Sequence, residues 1–229
     1  NYAILGKVVL GDKLIENGAV VIEAEKIKYS GDCSGADLPK QVIDMGGKII
    51  APGFVDIHCH SGNGIKAYDN PVKMAEYHLK CGTTGILCSI YPDFSIQEMT
   101  KVVYKIKEVM PRNKNILGIH LEGPYISPKY GASAIERKWI TPNRADYMPM
   151  IESGIIKQWT FAPEGDNTDI LLEDMKRAGI APAIGHSEAS PRLIFDVCKN
   201  GVKIVTHLTN ATGSSIEFSS NRGIKGVSF

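Results

Sequence analysis

Six short apolar runs, most of them separated by helical patterns, constrain the fold of this 229-residue chain more than any other feature. They cover residues 54–58, 85–90, 116–121, 156–162, 181–185 and 202–208. Runs of this length read as buried strands. Between them, residues 71–80 follow Asn70 and begin with Pro71, which suits a first helical turn. Ser95-Ile96-Gln97-Glu98 has the spacing of a capping box, and Ile96, Met99, Val102, Val103, Ile106 and Met110 follow it at helical spacing. Residues 169–178 read as a helix closed by Gly179, and Ser190-Pro191 opens another that stops near Gly201. Strands alternating with helices imply parallel pairing and right-handed crossovers. Residues 124–150 read as an irregular insertion after the third strand.

Residues 1–50 have a different character. They read as short strands over 3–10, 18–23, 26–30 and 42–50, with Gly11-Asp12 and Asn17-Gly18 as turn signals. Two domains are therefore expected, a small β module over 1–50 and an α/β domain over 51–229. A complete eight-stranded barrel needs about 250 residues, so the second domain has room for about six strand–helix units. An open piece of barrel leaves two unpaired edges. The expectation is a chain that forms part of a longer protein.

Charge narrows the partners. With 26 Lys+Arg against 25 Asp+Glu, the chain lacks the basic surplus of a nucleic-acid or membrane-surface binder. It has no apolar run long enough to span a bilayer, and its first residues do not read as a signal peptide. Cys33, Cys59, Cys81, Cys88 and Cys198 form no CxxC pair, and four of them lie in or beside apolar segments. They are expected to be reduced core thiols in a cytoplasmic protein. Cys59 sits between two histidines, but strand alternation points it away from them.

The chemistry concentrates at strand ends. His58 and His60 form an HxH whose rings share one face of the first strand. Glu122 ends the third strand, His186 the fifth and His207 the sixth. Glu122 follows His58 by 64 residues, His186 follows Glu122 by 64, and His207 follows His186 by 21, or two units, two units and one short unit. In a parallel barrel these side chains gather at the C-terminal mouth. Imidazoles with a carboxylate suit Zn²⁺, Fe²⁺ and similar divalent ions. His120 shares the inward face with Glu122 and suits a supporting hydrogen bond. His78 lies on a helix without partners and reads as a structural histidine. Asp56 shares a face with His58 but lies deeper and reads as structural.

The run Ala51-Pro52-Gly53-Phe54-Val55-Asp56-Ile57-His58-Cys59-His60 resembles the first barrel strand of the amidohydrolase superfamily. Within it, Gly118-Ile119-His120-Leu121-Glu122-Gly123-Pro124-Tyr125, Ala162-Pro163-Glu164, Gly185-His186-Ser187 and Thr206-His207-Leu208-Thr209-Asn210-Ala211 resemble the N-acetylglucosamine-6-phosphate deacetylase family. The resemblance implies a (β/α)8-type barrel, with about six of eight units present, and a small β-sandwich to which residues 1–50 contribute the N-terminal part. It implies a principal metal on Glu122, His186 and His207 and a second on His58 and His60, so one or two divalent ions, Zn or Fe foremost. Substrate contacts would come from Asn210 and Ala211, from the loop carrying Ala132 and Ser133, and from Arg222.

The implied activity is removal of the acetyl group from N-acetylglucosamine 6-phosphate, giving glucosamine 6-phosphate and acetate. The implied setting is cytoplasmic, and the full-length form a homodimer. The metal would acidify water and polarise the amide, and a general base would pass a proton to the leaving amine. In the family that base is an aspartate ending the eighth strand, which would lie beyond Phe229. No catalytic residue is identifiable within the chain, which is expected to be inactive by itself.

Two departures stand out. Gly131-Ala132-Ser133 puts serine where the family has histidine, and Arg222 is about two residues out of register with the family arginine. A related N-acetyl-hexosamine phosphate or a cyclic amide is therefore a rival substrate. Cyclic-amide hydrolases commonly use a carboxylated lysine at the fourth strand end, whereas here Lys157 is at that strand's start. A non-catalytic relative kept as a binding module is the rival of another class.

Overall fold

The computed structural model describes residues 1–91, 93–130, 138–208, 210 and 211, in two compact units divided at Gly53/Phe54. The first unit is a four-stranded sheet of β1 (Tyr2–Leu10), β2 (Lys13–Glu23), β3 (Lys26–Asp32) and β4 (Val42–Ile50), in the order β3-β2-β1-β4. β1–β2 and β2–β3 are antiparallel, and β4 runs parallel to β1. Gly11 turns the first hairpin at φ 50°, and Ala24 and Glu25 turn the second at φ 47° and 65°. Such left-handed residues match the twist of two-residue hairpins.

Asn17-Gly18, expected as a turn, lies inside β2 instead. The β1–β2 ladder slips between Gly6 and Val8, so the dipeptide is absorbed into a bulge. A Cβ at Gly18 would sit 2.5 Å from Val8 Cγ2, so glycine serves close cross-strand packing there.

The second unit runs β5 (Phe54–Cys59), a short hairpin of β6 (Ser61–Gly62) and β7 (Ile65–Lys66), α1 (Pro71–Lys80), β8 (Thr83–Ile90), α2 (Ile96–Val109), β9 (Ile116–Glu122), α3 (Arg144–Glu152), β10 (Ile156–Phe161), α4 (Thr168–Arg177), β11 (Ala181–Ile184), α5 (Pro191–Lys199) and β12 (Ile204–Val205). Six strands form one parallel sheet in the order β12-β11-β10-β9-β8-β5. Neighbours in sequence are neighbours in space, so this is a curled half-barrel with six of the expected units.

The helix starts follow local chemistry. Asn70 accepts from the Lys73 N–H, Ser95 and Glu98 complete a reciprocal capping box, and Ser190 accepts from the Leu193 N–H. Met74 and Ala75 of α1, Met99, Val103 and Ile106 of α2, and Leu171, Leu172 and Met175 of α4 are buried in one apolar cluster with Ile86, Cys88, Ile90, Ile119, Leu121, Trp159 and Phe161 of the sheet. The alternate positions of the same strands, including Ser89, His120, Glu122 and Thr160, face the barrel interior.

Three expectations change. Residues 124–150, expected to be irregular, contain the start of α3, the crossover helix between β9 and β10. An internal Pro149 and a weak apolar stripe hide it. The sixth strand is two residues long, because the backbone turns immediately afterwards toward His207. Of the five cysteines, Cys59 and Cys88 are buried, Cys33 is half-buried, and Cys81 and Cys198 are exposed, so not all are core thiols. Among the described residues no helix is long and apolar enough to cross a membrane.

Candidate metal centre

The strand ends place each candidate ligand. His58 is the penultimate residue of β5, with His60 just past its end, and Glu122 is the last residue of β9. His186 and His207 each lie two residues beyond a strand and adopt left-handed backbone, at φ 49° and 34°. That conformation is costly for a residue with a Cβ and tends to persist where function over-determines it. Gly185 lets the neighbouring strands close in beside His186. A Cβ there would fall 2.7 Å from Thr160 Cγ2 and 2.8 Å from Thr206 Cβ.

The five side chains meet at the Glu122 carboxylate. Oε1 lies 2.8 Å from the Nε2 atoms of both His186 and His207. Oε2 lies 2.8 Å from His60 Nε2 and 3.5 Å from His58 Nε2. Within each pair the rings nearly touch, with Nε2···Nε2 distances of 3.0 Å for His58–His60 and 3.1 Å for His186–His207. Two three-residue groups therefore share one carboxylate, each suited to hold a metal ion.

The opposite ring nitrogens decide what the centre wants. His186 Nδ1 is 3.0 Å from the Tyr130 carbonyl oxygen, His207 Nδ1 is 2.9 Å from that of Asn210, and His60 Nδ1 is 3.2 Å from that of Ser89. A carbonyl only accepts, so each Nδ1 donates. In a neutral imidazole the Nε2 atom then carries a lone pair. Three such lone pairs converge on a carboxylate that also only accepts. Protons on the rings or a cation between them relieve the repulsion, so the donor set fits a divalent ion.

Burial by itself would raise the Glu122 carboxyl. The hydrogen bonds from His186, His207, His58 and His60 overcome it and hold the group well below the usual carboxylate range. Burial lowers His207, but the adjacent Glu122 raises it more, and the net direction is up. In the metal-free chain, protons thus take part of the cation's place.

A hydrogen-bonded row lies one step deeper. The Cys59 N–H donates to Ser89 Oγ (3.0 Å), Ser89 Oγ meets His120 Nδ1 (3.0 Å), His120 Nε2 meets Thr160 Oγ1 (2.7 Å), and Thr160 Oγ1 meets Thr206 Oγ1 (2.6 Å). His120 thus supports the centre from below. Burial, then His58 beside it, push its imidazole down to about 3. An unfolded His120 takes up a proton near its ordinary value of 6.5, while the folded one resists until about 3. Its contribution to stability is therefore complete above pH 6.5 and lost as pH falls. In metal-free protein, stability between pH 6.5 and 4.5 should fall by up to about 1.4 kcal/mol per unit from this residue. His120→Gln should flatten that slope in urea denaturation; parallel slopes for parent and variant would contradict it.

Several supporting residues are not themselves candidate ligands of the Glu122 centre. The Tyr91 ring stacks on His60 at 3.9 Å between centroids and an 8° interplanar angle. Its signal is its position, one residue past the end of β8. Glu164 accepts from Ser187 Oγ (2.6 Å) and from the Glu188 N–H (2.7 Å), tying the β10 loop to the turn after His186. Asp56 accepts from the His58 N–H at 3.0 Å, in keeping with a structural role. His78, expected to lack partners, has them: its Nε2 lies 3.1 Å from Cys59 Sγ and 3.2 Å from the Ser61 carbonyl oxygen.

The substrate-contact candidates fare unevenly. Asn210 uses its carbonyl to orient His207, and Ala211 is buried with φ 56°. Ala132, Ser133 and Arg222 lie outside the described residues.

No protein-family model matches the chain. A curated protein from Bacillus subtilis named N-acetylglucosamine-6-phosphate deacetylase is 29% identical over 218 residues, covering 89% of this chain and 54% of its own length. A human protein of the same name is 28% identical over 222 residues, covering 90% and 52%. The crystal structure of the N-acetylglucosamine-6-phosphate deacetylase from Thermotoga maritima is 28% identical, superposes with a TM-score of 0.76, and covers 96% of this chain and 57% of that one. The chain spans about half the length of the curated relatives it matches. Over nearly all of its own length, then, this chain is similar to proteins named N-acetylglucosamine-6-phosphate deacetylase.

Proposed function

We propose that the protein is a metal-dependent amide hydrolase that removes the acetyl group from N-acetylglucosamine 6-phosphate. The observation that carries the proposal is the convergence of carbonyl-anchored imidazoles on one buried carboxylate. Glu122, His186 and His207 would hold the principal metal, and His58 and His60, with Glu122 shared, a second. The centre is thus read as taking one or two ions of the Zn²⁺ or Fe²⁺ type. When bound, such an ion supplies Lewis acidity, polarising an amide carbonyl and lowering the pKa of water.

The chain's own residues do the rest. Glu122 stays ionised and offers one oxygen to each imidazole pair. The Nδ1–H bonds to Tyr130, Asn210 and Ser89 hold three rings in place. Tyr91 packs flat on His60 and restricts its rotation. The row of Ser89, His120, Thr160 and Thr206 is buried and closes the floor against water. Asn210 and Ala211 lie three and four residues after His207, so a phosphate bound there would be sensed by the His207 ring through the Asn210 carbonyl.

The names of the relatives support the amino-sugar phosphate as substrate. A homodimeric, cytoplasmic enzyme belongs to the same proposal. Lys157 counts against a cyclic-amide hydrolase: it lies at the start of β10, packed over Gly118, at the far end of the strand from Glu122.

The test is acetate release from N-acetylglucosamine 6-phosphate by metal-loaded protein expressed from its natural reading frame. Activity that Glu122→Gln and His186→Asn each reduce by at least about 10²-fold is expected. Metal-loaded but inactive protein would move the proposal to another acyl substrate. Metal-free protein whose variants match the parent would end the hydrolase reading.

A further inference from the structure

A second donor cluster lies behind the strand that carries the HxH. Cys59 Sγ is 3.1 Å from His78 Nε2 and 3.6 Å from the Ser61 carbonyl oxygen, and His78 Nε2 is 3.2 Å from that same oxygen. An Asp56 carboxylate oxygen lies within 4.8 Å of both Cys59 Sγ and a His78 ring nitrogen. Regular alternation would put residues i and i+3 on opposite faces of a strand. Here the β5–β8 ladder slips between Asp56 and Cys59, and the two side chains turn toward one place. Gly62 keeps that place open, since a Cβ there would be 2.7 Å from His78 Nε2.

The cluster's own hydrogen bonds centre on one acceptor. The Cys59 thiol donates to the Ser61 carbonyl oxygen at 3.6 Å, and a protonated His78 Nε2 donates to the same oxygen at 3.2 Å, so the Asp56 carboxylate receives neither proton. With a lone pair instead, Nε2 meets the carbonyl lone pairs at 3.2 Å. A cation between the four groups satisfies all of them together.

We propose that Cys59, His78 and Asp56, with the Ser61 carbonyl as fourth donor, form a second and separate site for a thiophilic divalent cation of the Zn²⁺ type. Thiolate, imidazole, carboxylate and carbonyl make a four-donor set of the kind Zn²⁺ accepts. The thiolate and carboxylate together cancel the ion's charge, which a half-buried site requires. Coordination releases the Cys59 thiol proton to solvent as the sulfur–metal bond forms. The site would pin α1 to the back of β5, the strand whose front carries His58 and His60. It is independent of the Glu122 centre, which contains no sulfur ligand.

Cobalt reads the two sites apart. Metal-stripped protein titrated with Co²⁺ should develop a sulfur-to-cobalt charge-transfer band in the near ultraviolet, which imidazole–carboxylate ligation cannot produce. Cys59→Ser should abolish the band and remove one equivalent of bound metal, and His78→Asn should weaken the band-forming site by at least about tenfold. Cys88→Ser should leave it intact. Parent protein that binds cobalt without the band would overturn the proposal whatever the variants do, because that measurement does not depend on their folding. So would a band lost in Cys88→Ser and kept in Cys59→Ser.

Discussion

Replacing Glu122 with glutamine is expected to abolish the stabilisation that metal bound at the Glu122 centre gives the protein. Glu122 is the group common to both three-residue clusters, with one oxygen facing each imidazole pair. Loss of any one histidine leaves a carboxylate and partners behind, whereas loss of the carboxylate dismantles both clusters together. A ligand at a thousand times its dissociation constant stabilises the folded state by about 4 kcal/mol. For a chain of this size that is a rise in melting temperature of roughly 8–16 °C. In a Cys59→Ser background, which leaves the Glu122 centre as the zinc site, that rise should appear between stripped and zinc-loaded samples, and adding Glu122→Gln should remove almost all of it. Comparing loaded with stripped protein for each variant cancels whatever the substitution does to the metal-free fold. An undiminished rise in the variant would remove Glu122 from the centre.

Trp159→Ala is expected to be the most damaging single change to the fold beneath the site. Trp159 is fully buried in β10, on the helix-facing side of the sheet. Its ring packs against Tyr125, at 6.0 Å between centroids, and against Tyr147, at 6.4 Å. Its Nε1–H donates to the Gly123 carbonyl at 2.8 Å, fixing the residue that follows Glu122. Truncation opens a cavity and strands a buried carbonyl, at a cost of about 4 kcal/mol or more. Trp159→Phe keeps most of the ring but not the donor, and should cost about 1–3 kcal/mol. Urea denaturation of metal-free protein reads both. A loss below about 1 kcal/mol for Trp159→Ala would mean that the packing around Gly123 carries little of the stability.

The parts of this fold that could be read from residues alone are those where local chemistry and tertiary structure agree. Pro71 behind Asn70, the Ser95–Glu98 box and Ser190-Pro191 start helices because each satisfies backbone donors within a few residues. The ligand set was legible for a different reason. Polar, titratable residues at the ends of apolar runs are costly to bury, and their spacing matched whole strand–helix units. What escaped depends on non-local contact. Asn17-Gly18 has turn chemistry, but pairing with β1 draws it into a bulge. α3 carries Pro149, and its helical state is decided by packing of Tyr147, Met150 and Ile151 on the sheet. The partners of His78 arise from a register slip that no periodicity announces. Tyr91 acquires its place from stacking on a ring 31 residues earlier in the chain.

Anomalous diffraction at the zinc absorption edge, from crystals of zinc-loaded protein, tests the convergence of the imidazoles on Glu122 most directly. The predicted result is an anomalous peak about 2.0–2.2 Å from His186 Nε2, His207 Nε2 and a Glu122 carboxylate oxygen, with the three Nδ1–H bonds to carbonyls kept. Crystals with no peak there, or with the His186 and His207 rings turned away from Glu122, would contradict it.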